Sequence, residues 1–383
     1  MIFLGPVFAF WQLTSKKKLA KKLGPKHRFP LLKLPRVVLL ECIENLDVLE
    51  IASFSLLSKR AESIAKLIAK SIPRNLLDIR LRFGGDPKIF LRLPTDPRRV
   101  YVIDYNKGKE SSEYPYVQSS RIGPKVYNFL FLEDNGNAIE KIKQMAEHIC
   151  QLFRSQITGI TIADESLIEW IINLQSTIRY IWIDDDVVNS VETLDRIFQN
   201  LKLTRHFRLK SIDKKIKVTK PIPCPSISIH NSYWFTLPSV LNGTNSIIRL
   251  YGSKLTPMDI NTILKEWQMG TKLQNLEYLE IETSTLIDHF ESAREMLEDL
   301  DLTVSVGNDG IPQTIKIDDE WILPLPQEDA RYDLIRNDGM IGSFFVNLQR
   351  YRHLKVTFIS FRFQVWRRSR PRQDNNNFNL MHF

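Results

Sequence analysis

Residues 29–47 read Phe29-Pro-Leu-Leu-Lys-Leu34-Pro35-Arg-Val-Val38-Leu39-Leu-Glu-Cys42-Ile43-Glu-Asn-Leu46-Asp47, and their spacing decides the fold of the N-terminal part. Counted from Pro35, apolar positions fall at offsets 0, 3, 4, 7, 8 and 11, which is one face of an α-helix. Proline suits the first helical turn, where its missing N–H has no partner to lose. A second helical phase runs through Leu49, Leu56, Ile64, Leu67 and Ile68 after a break at Asn45–Asp47. Two or three short helices in about 40 residues bury too little apolar surface to stand alone, so this unit must dock on something.

Net charge becomes informative once it is located. The formal net charge is +9 over 383 residues, yet residues 1–36 hold nine Lys or Arg and no acid. Residues 362–383 add five Arg against one Asp, which leaves the body between them near −4. A basic core that grips a phosphate backbone is therefore not expected, and the basic ends read as solvated tails. Met1–Leu13 is apolar but too short to span a bilayer and lacks the leading charge of a secretory signal. Cys42, Cys150 and Cys224 are distant from one another and form no CxxC pair, which fits a reducing compartment. The Asn242-Gly243-Thr244 sequon matters only in a secreted chain.

Past residue 155 a short motif of the form apolar-x-x-apolar-x-apolar returns. Clear copies are Ile157/Ile160/Ile162, Ile178/Ile181/Ile183 and Leu276/Leu279/Ile281. Weaker ones are Thr204/Phe207/Leu209, Cys224/Ile227/Ile229 and Ile247/Leu250/Gly252. First residues are spaced 21, 26, 20, 23 and 29 apart, with helical patterns at Leu167–Leu174, Val191–Leu201, Met258–Trp267 and Leu286–Leu300. Thr256-Pro257-Met258-Asp259 is a helix start, with a capping hydroxyl, proline in the first turn and an early acid. Strands alternating with helices at this period predict a leucine-rich-repeat-like stack, or an α/β sheet with unequal connections. Thr161, Trp182, Ser228 and Glu280 are then expected to face outward from the strand layer. Between the two regions, strand-like runs at Lys88–Leu93, Val100–Asp104 and Tyr127–Leu132 predict a small hairpin layer joined to a helix over Ala138–Phe153, with Lys107–Ser112 as an exposed loop.

The run Phe29–Leu39 followed by Phe54-Ser-Leu-Leu-Ser-Lys-Arg60 resembles an F-box, a Leu-Pro pair and apolar helix leading to a second helix near a Ser-Lys pair. The resemblance implies binding to a Skp-type adaptor and, through it, to a cullin ubiquitin ligase. It places Leu34, Pro35, Val38, Leu39, Ile43, Leu46, Leu57 and Ser58 at or near the adaptor surface. One departure is visible: many F-boxes carry a tryptophan soon after the Lys/Arg, where this chain has Ala61-Glu62-Ser63. The body resembles the type 2 F-box-associated domain of many nematode F-box proteins. The residues carrying this are Leu203–Leu209, His230–Leu237, Leu264–Trp267, Asn275–Ile281 and Arg331–Gly339. It implies that the C-terminal domain holds a target protein.

The expected fold is therefore α/β: a small N-terminal helical F-box followed by an irregular leucine-rich-repeat-like β-α stack. Expected segments are a basic stretch 1–28, the F-box 29–72, a connecting hairpin and helix region 73–155, the F-box-associated domain 156–361 and a basic tail 362–383. No phosphate loop, GxGxxG turn, HExxH pair or GxSxG elbow is present, so no catalytic residue, cofactor or metal is expected. Asp184-Asp185-Asp186 lacks the glycine and distal glutamate of an EF-hand and reads as a solvated loop. Ser232-Tyr233-Trp234-Phe235 reads as core rather than as an aromatic binding patch. The expected partners are the adaptor and an unknown protein target, with neither nucleic acid nor membrane, in a cytoplasmic or nuclear setting. The competing reading is a repeat-type interaction scaffold unconnected with ubiquitin, its N-terminal helices merely capping the stack.

Overall fold

Three short helices precede a long run of strands in the computed structural model, which describes residues 34–43, 45–106, 108, 115–134, 136–212, 220–285, 289–306, 311–317, 322–325, 330–351 and 356–367. The N-terminal basic stretch, the loop Lys107–Ser112 apart from Gly108, and the tail beyond 367 lie outside these residues. The chain divides into two units by contact, Met1–Val187 with Gln199–Lys202, and Val188–Phe198 with Leu203–Phe383.

The first unit opens on α1 (Arg36–Ile43), α2 (Val48–Ser55) and α3 (Lys59–Ala69). Strands β1 (Asp78–Arg82), β2 (Lys88–Arg92), β3 (Arg99–Asn106), β4 (Tyr116–Ile122) and β5 (Lys125–Glu133) follow. Then come α4 (Ala138–Phe153), β6 (Ile157–Ile162), α5 (Ser166–Leu174) and β7 (Thr177–Ile183). Its strand order is β7-β6-β1-β2-β3-β5-β4. Pairing is parallel for β6 with β7, β1 with β6 and β3 with β5, and antiparallel elsewhere. Ile79, Leu81, Ile89, Leu91 and Ile103 are buried on one face of the sheet, and Ile142, Ala146, Ile149 and Phe153 form the buried stripe of α4. That stripe has the offsets 0, 4, 7 and 11 of one helical face.

The second unit holds α6 (Val191–Asn200), β8 (Lys202–Leu209), β9 (Ser226–Ile229), α7 (Leu237–Leu241), β10 (Ile247–Ser253), α8 (Pro257–Gln268) and β11 (Tyr278–Thr285). Beyond lie α9 (His289–Leu297), β12 (Leu302–Val306), β13 (Thr314–Lys316), β14 (Ile322–Pro324), β15 (Ala330–Ile335), β16 (Met340–Tyr351) and β17 (Val356–Arg367). Its order is β12-β15-β16-β17-β11-β10-β9-β8, with β13 and β14 forming a separate hairpin. Strands β8 to β11 are parallel, with α7 on the crossover from β9 to β10 and α8 on that from β10 to β11, and β17, β16, β15 and β12 continue antiparallel. The chain is thus a mixed α/β protein, an N-terminal helical region followed by extensive mixed sheet.

Every copy of the repeated motif ends on one of the strands β6 to β11. Phe207, Ile227, Ile248 and Leu279 stand in one cross-strand row, and Leu209, Ile229, Leu250 and Ile281 in the next. The copy on β10 is therefore Asn245/Ile248/Leu250, shifted by two residues at every position from the expected Ile247/Leu250/Gly252. Asn245 escaped notice because it is polar: its Nδ2 donates to the carbonyls of Ile222 and Cys224 at 3.0 and 2.5 Å, a buried hydrogen-bonded substitute for an apolar residue. Thr256 caps α8 as expected, accepting from the Asp259 amide while the Asp259 carboxylate returns to the Thr256 amide. Trp234 and Phe235 are buried in the core, as their run predicted.

Candidate functional site

The Leu34–Ser58 segment is built from helix starts. The Pro35 carbonyl accepts the Leu39 amide at 3.0 Å, which makes Pro35 the entry to α1. Asp47 caps α2 with a reciprocal box: its Oδ1 takes the Leu49 and Glu50 amides at 2.9 Å, and Glu50 Oε2 takes the Asp47 amide at 3.0 Å. Burial pushes both carboxyls above their ordinary values, because hydrogen bonds to the backbone only partly offset desolvation. Ser58 caps α3 by accepting the Ala61 amide at 3.1 Å.

All eight residues of α2 are buried, and it packs against α3, which also meets α1. Helix α3 presents Ala61, Ala65, Ile68 and Ala69 inward, small side chains that allow close approach. In the Ala61-Glu62-Ser63 stretch, Ala61 is buried, Glu62 pairs with Lys66 at 2.6 Å and Ser63 is exposed. The helices are tied to the remainder of their unit by His148 on α4, whose Nε2 lies 2.7 Å from Ser55 Oγ. Arg154 adds two bonds at 3.3 Å, from its Nη2 to the carbonyls of Lys70 and Ile72.

The apolar stripe of α1 is divided lengthwise. Leu39 is 1% exposed, and Ile43 and Leu46 are also buried. Pro35 and Cys42 are exposed, Val38 is 46% exposed and Leu34 is partly exposed. One edge of the stripe packs inward while the other faces solvent. Leu57 is partly exposed and Ser58 exposed at the start of α3. Of the eight residues singled out, Leu34, Pro35, Val38, Leu57 and Ser58 are thus accessible, whereas Leu39, Ile43 and Leu46 support the surface from beneath. The structure adds Val37, 72% exposed, and also Leu56 and Leu67. Val37 lies off the helical stripe, and an apolar residue off the stripe is itself a signal of a second face. Leu56 and Leu67 instead belong to the second helical phase, whose spacing alone does not tell an exposed position from a buried one.

A second feature lies in the other unit. On the strand face opposite the apolar rows, Arg208, Ser228, Arg249, Glu280 and Arg362 fall in one cross-strand row over β8, β9, β10, β11 and β17. Glu280 accepts from Arg249 Nε at 2.7 Å, from Arg362 Nε at 3.2 Å and from the Tyr251 hydroxyl at 3.0 Å. Arg208 Nη2 lies 3.1 Å from His230 Nε2, and the His230 ring stacks on Tyr251 with centroids 4.6 Å apart. Thr161 and Trp182 have exposed area as expected, but Ser228 and Glu280 are buried. The reason is local: long neighbours in the row close over the short Ser228, and three donors wrap the Glu280 carboxylate. Polar–apolar alternation in His206–Leu209 and Ser226–Ile229 was the legible signal for this row.

Burial pushes the thiols of Cys150 and Cys224 up to about 12, which keeps them protonated and poorly nucleophilic. Among the described residues no group of three or more His, Cys, Asp or Glu is placed to hold a metal ion. No helix among them is long and apolar enough to cross a membrane.

Compared with curated proteins and with solved structures, the chain gives no match in either. Family comparison gives two matches, the F-box domain over residues 31–69 and the F-box associated family over residues 221–281. The first covers α1 to α3 and the second runs from β9 to β11, through the centre of the polar row. Such domains are typical of adaptor and receptor proteins rather than enzymes. The chain thus carries an F-box match over its three N-terminal helices and an F-box associated match over the centre of its second unit, an architecture that suggests a substrate receptor.

Proposed function

We propose that this protein is the substrate-recognition subunit of a cullin-type ubiquitin ligase, acting by tethering. The F-box, residues 29–72, docks on a Skp-type adaptor through Leu34, Pro35, Val37, Val38, Leu56, Leu57 and Ser58. Leu39, Ile43 and Leu46 hold that surface in shape. The F-box-associated region, within residues 156–361, binds the protein to be modified, at a site accessible in the cytoplasm or nucleus. The chain then raises the local concentration of the target near a ligase that other subunits supply, and no side chain of its own takes part in bond chemistry.

The observation that carries this reading is the exposed apolar edge on α1, next to a proline entry, in a segment that matches the F-box family. Solvent-facing Val37 and Val38 on a short helix are costly in a free protein and useful in a bound one. Co-purification from cells tests it. Leu34→Ala with Pro35→Ala should remove the adaptor and the cullin together from the purified complex. An undiminished adaptor band would refute the assignment.

A further inference from the structure

The first unit carries a second strand face, and its composition differs from the rest of the body. One cross-strand row leads from Trp182 on β7 through Arg82 and Lys88 to Phe131 and Tyr116. The adjacent row leads from Tyr180 through Arg80 and Phe90 to Phe129. Trp182 is 39% exposed, Arg82 is exposed, and Phe90, Tyr116, Phe129 and Phe131 are partly exposed.

Cations outnumber acids on this face. Asp78 and Asp104 lie within these rows and their flank, paired with Arg80 at 3.0 Å and Lys88 at 2.8 Å. Glu133 at the end of β5 and Asp184 after Trp182 border them, against the five cations Arg80, Arg82, Lys88, Arg92 and Lys125. Arg82 has no acidic partner among the described residues. Lys125 begins the same side of β5 as Tyr127, Phe129 and Phe131, and its ammonium is held below its ordinary pKa by burial and by Arg92 and Arg80. Its charged surroundings are thus positive. The body's total of near −4 conceals this local excess.

The rings choose between possible anionic ligands. Phe131 stacks on Tyr116 at 4.6 Å and on Phe129 at 5.4 Å, with interplanar angles of 16° and 11°. Phe129 also stacks on Tyr127 at 6.1 Å and 22°. Phe129 and Phe131 therefore have rings on both sides, and they offer edges to solvent instead of faces. Across the sheet the Arg80 guanidinium lies 4.4 Å from the Tyr180 centroid, above Gly159, where a Cβ would crowd both side chains. A nucleobase needs an open ring face on which to stack. Ring edges carry partial positive charge and attract carboxylates.

We propose that this face binds an acidic segment of a partner polypeptide, its carboxylates set between Arg82, Lys125 and the ring edges. The site is distinct from the adaptor surface and from the polar row of the second unit. It goes beyond the receptor reading, and the two can fail separately, because peptide binding is measured without adaptor.

Fluorescence anisotropy on the purified full chain tests it, with a labelled alternating Glu-Leu peptide and a labelled single-stranded oligothymidylate of equal charge. The peptide should bind saturably, more tightly than the oligonucleotide, and more weakly as salt rises. Arg82→Glu with Lys125→Glu should weaken the peptide about tenfold or more, while Lys254→Glu with Lys272→Glu in the second unit leaves it within about twofold. Should the first pair lower the melting temperature, Arg82→Gln alone, at an exposed position, should still weaken binding about threefold. Absence of peptide binding, tighter oligonucleotide binding, or equal losses from both charge-reversal pairs would overturn the proposal.

Discussion

Adjacent residues on α1 make opposite predictions, and the contrast tests the orientation of the helix. Leu39 is 1% exposed and its neighbour Val38 is 46% exposed. Leu39→Ala removes a fully buried isobutyl group and leaves a cavity, at a cost of about 3 kcal/mol within the usual 2–5 range. For a unit of this size that lowers the melting temperature by about 6–12 °C. Val38→Glu places a better helix former at a half-exposed site and should change stability by less than about 1 kcal/mol. Its effect falls on binding instead: a carboxylate forced into a dry apolar interface should weaken the adaptor by about 30-fold or more. Differential scanning calorimetry on both variants and titration calorimetry with purified adaptor read the two effects. Equal melting shifts would show that the stripe of α1 is not divided as described. Full adaptor affinity in Val38→Glu would show that its exposed edge is not the docking edge.

Three further outcomes follow from contacts elsewhere. His148 has its pKa lowered, mainly by burial, with Lys66 adding to the shift and Glu62 opposing it. Its folded form thus binds fewer protons than the unfolded chain, so this contribution is full above about pH 6.5 and is lost as pH falls through the folded value. Thermal melts between about pH 5 and 7.5 should show that slope in the parent and a shallower one in His148→Gln. Glu280→Gln leaves Arg249, whose side chain is 9% exposed, without its buried counter-charge, and should cost about 3 kcal/mol in chemical denaturation. Gly342→Ala should destabilise the second unit by about 1–3 kcal/mol, since a Cβ there would meet the Phe363 ring and come within 2.9 Å of Trp267. An unchanged denaturation midpoint in either variant would count against the packing described.

Legibility in the sequence followed from how local each determinant is. The helix Ala138–Phe153 and the Thr256 start were readable because periodicity and capping act within a few residues. The motif copies were readable because a buried parallel strand leaves a dense apolar run. Strand β4 was invisible, since Tyr116–Ile122 is half exposed and carries little apolar periodicity. Asp47-x-x-Glu50 announces α2 as a capping box, and that signal was available but unused. The division of the α1 stripe was not available, because which edge packs inward is decided by α2 and α3. The cation-rich face of the first unit was likewise hidden. Arg82 and Lys125 are distant in sequence, and only strand pairing brings their side onto one surface with Phe129 and Phe131.

The central claim is that the N-terminal helices are a docking surface for an adaptor. Titration of the purified full chain with a purified Skp-type adaptor measures it directly. The account predicts saturable one-to-one binding, abolished by Leu34→Ala with Pro35→Ala at an unchanged melting temperature. A flat titration with the folded parent protein would contradict it.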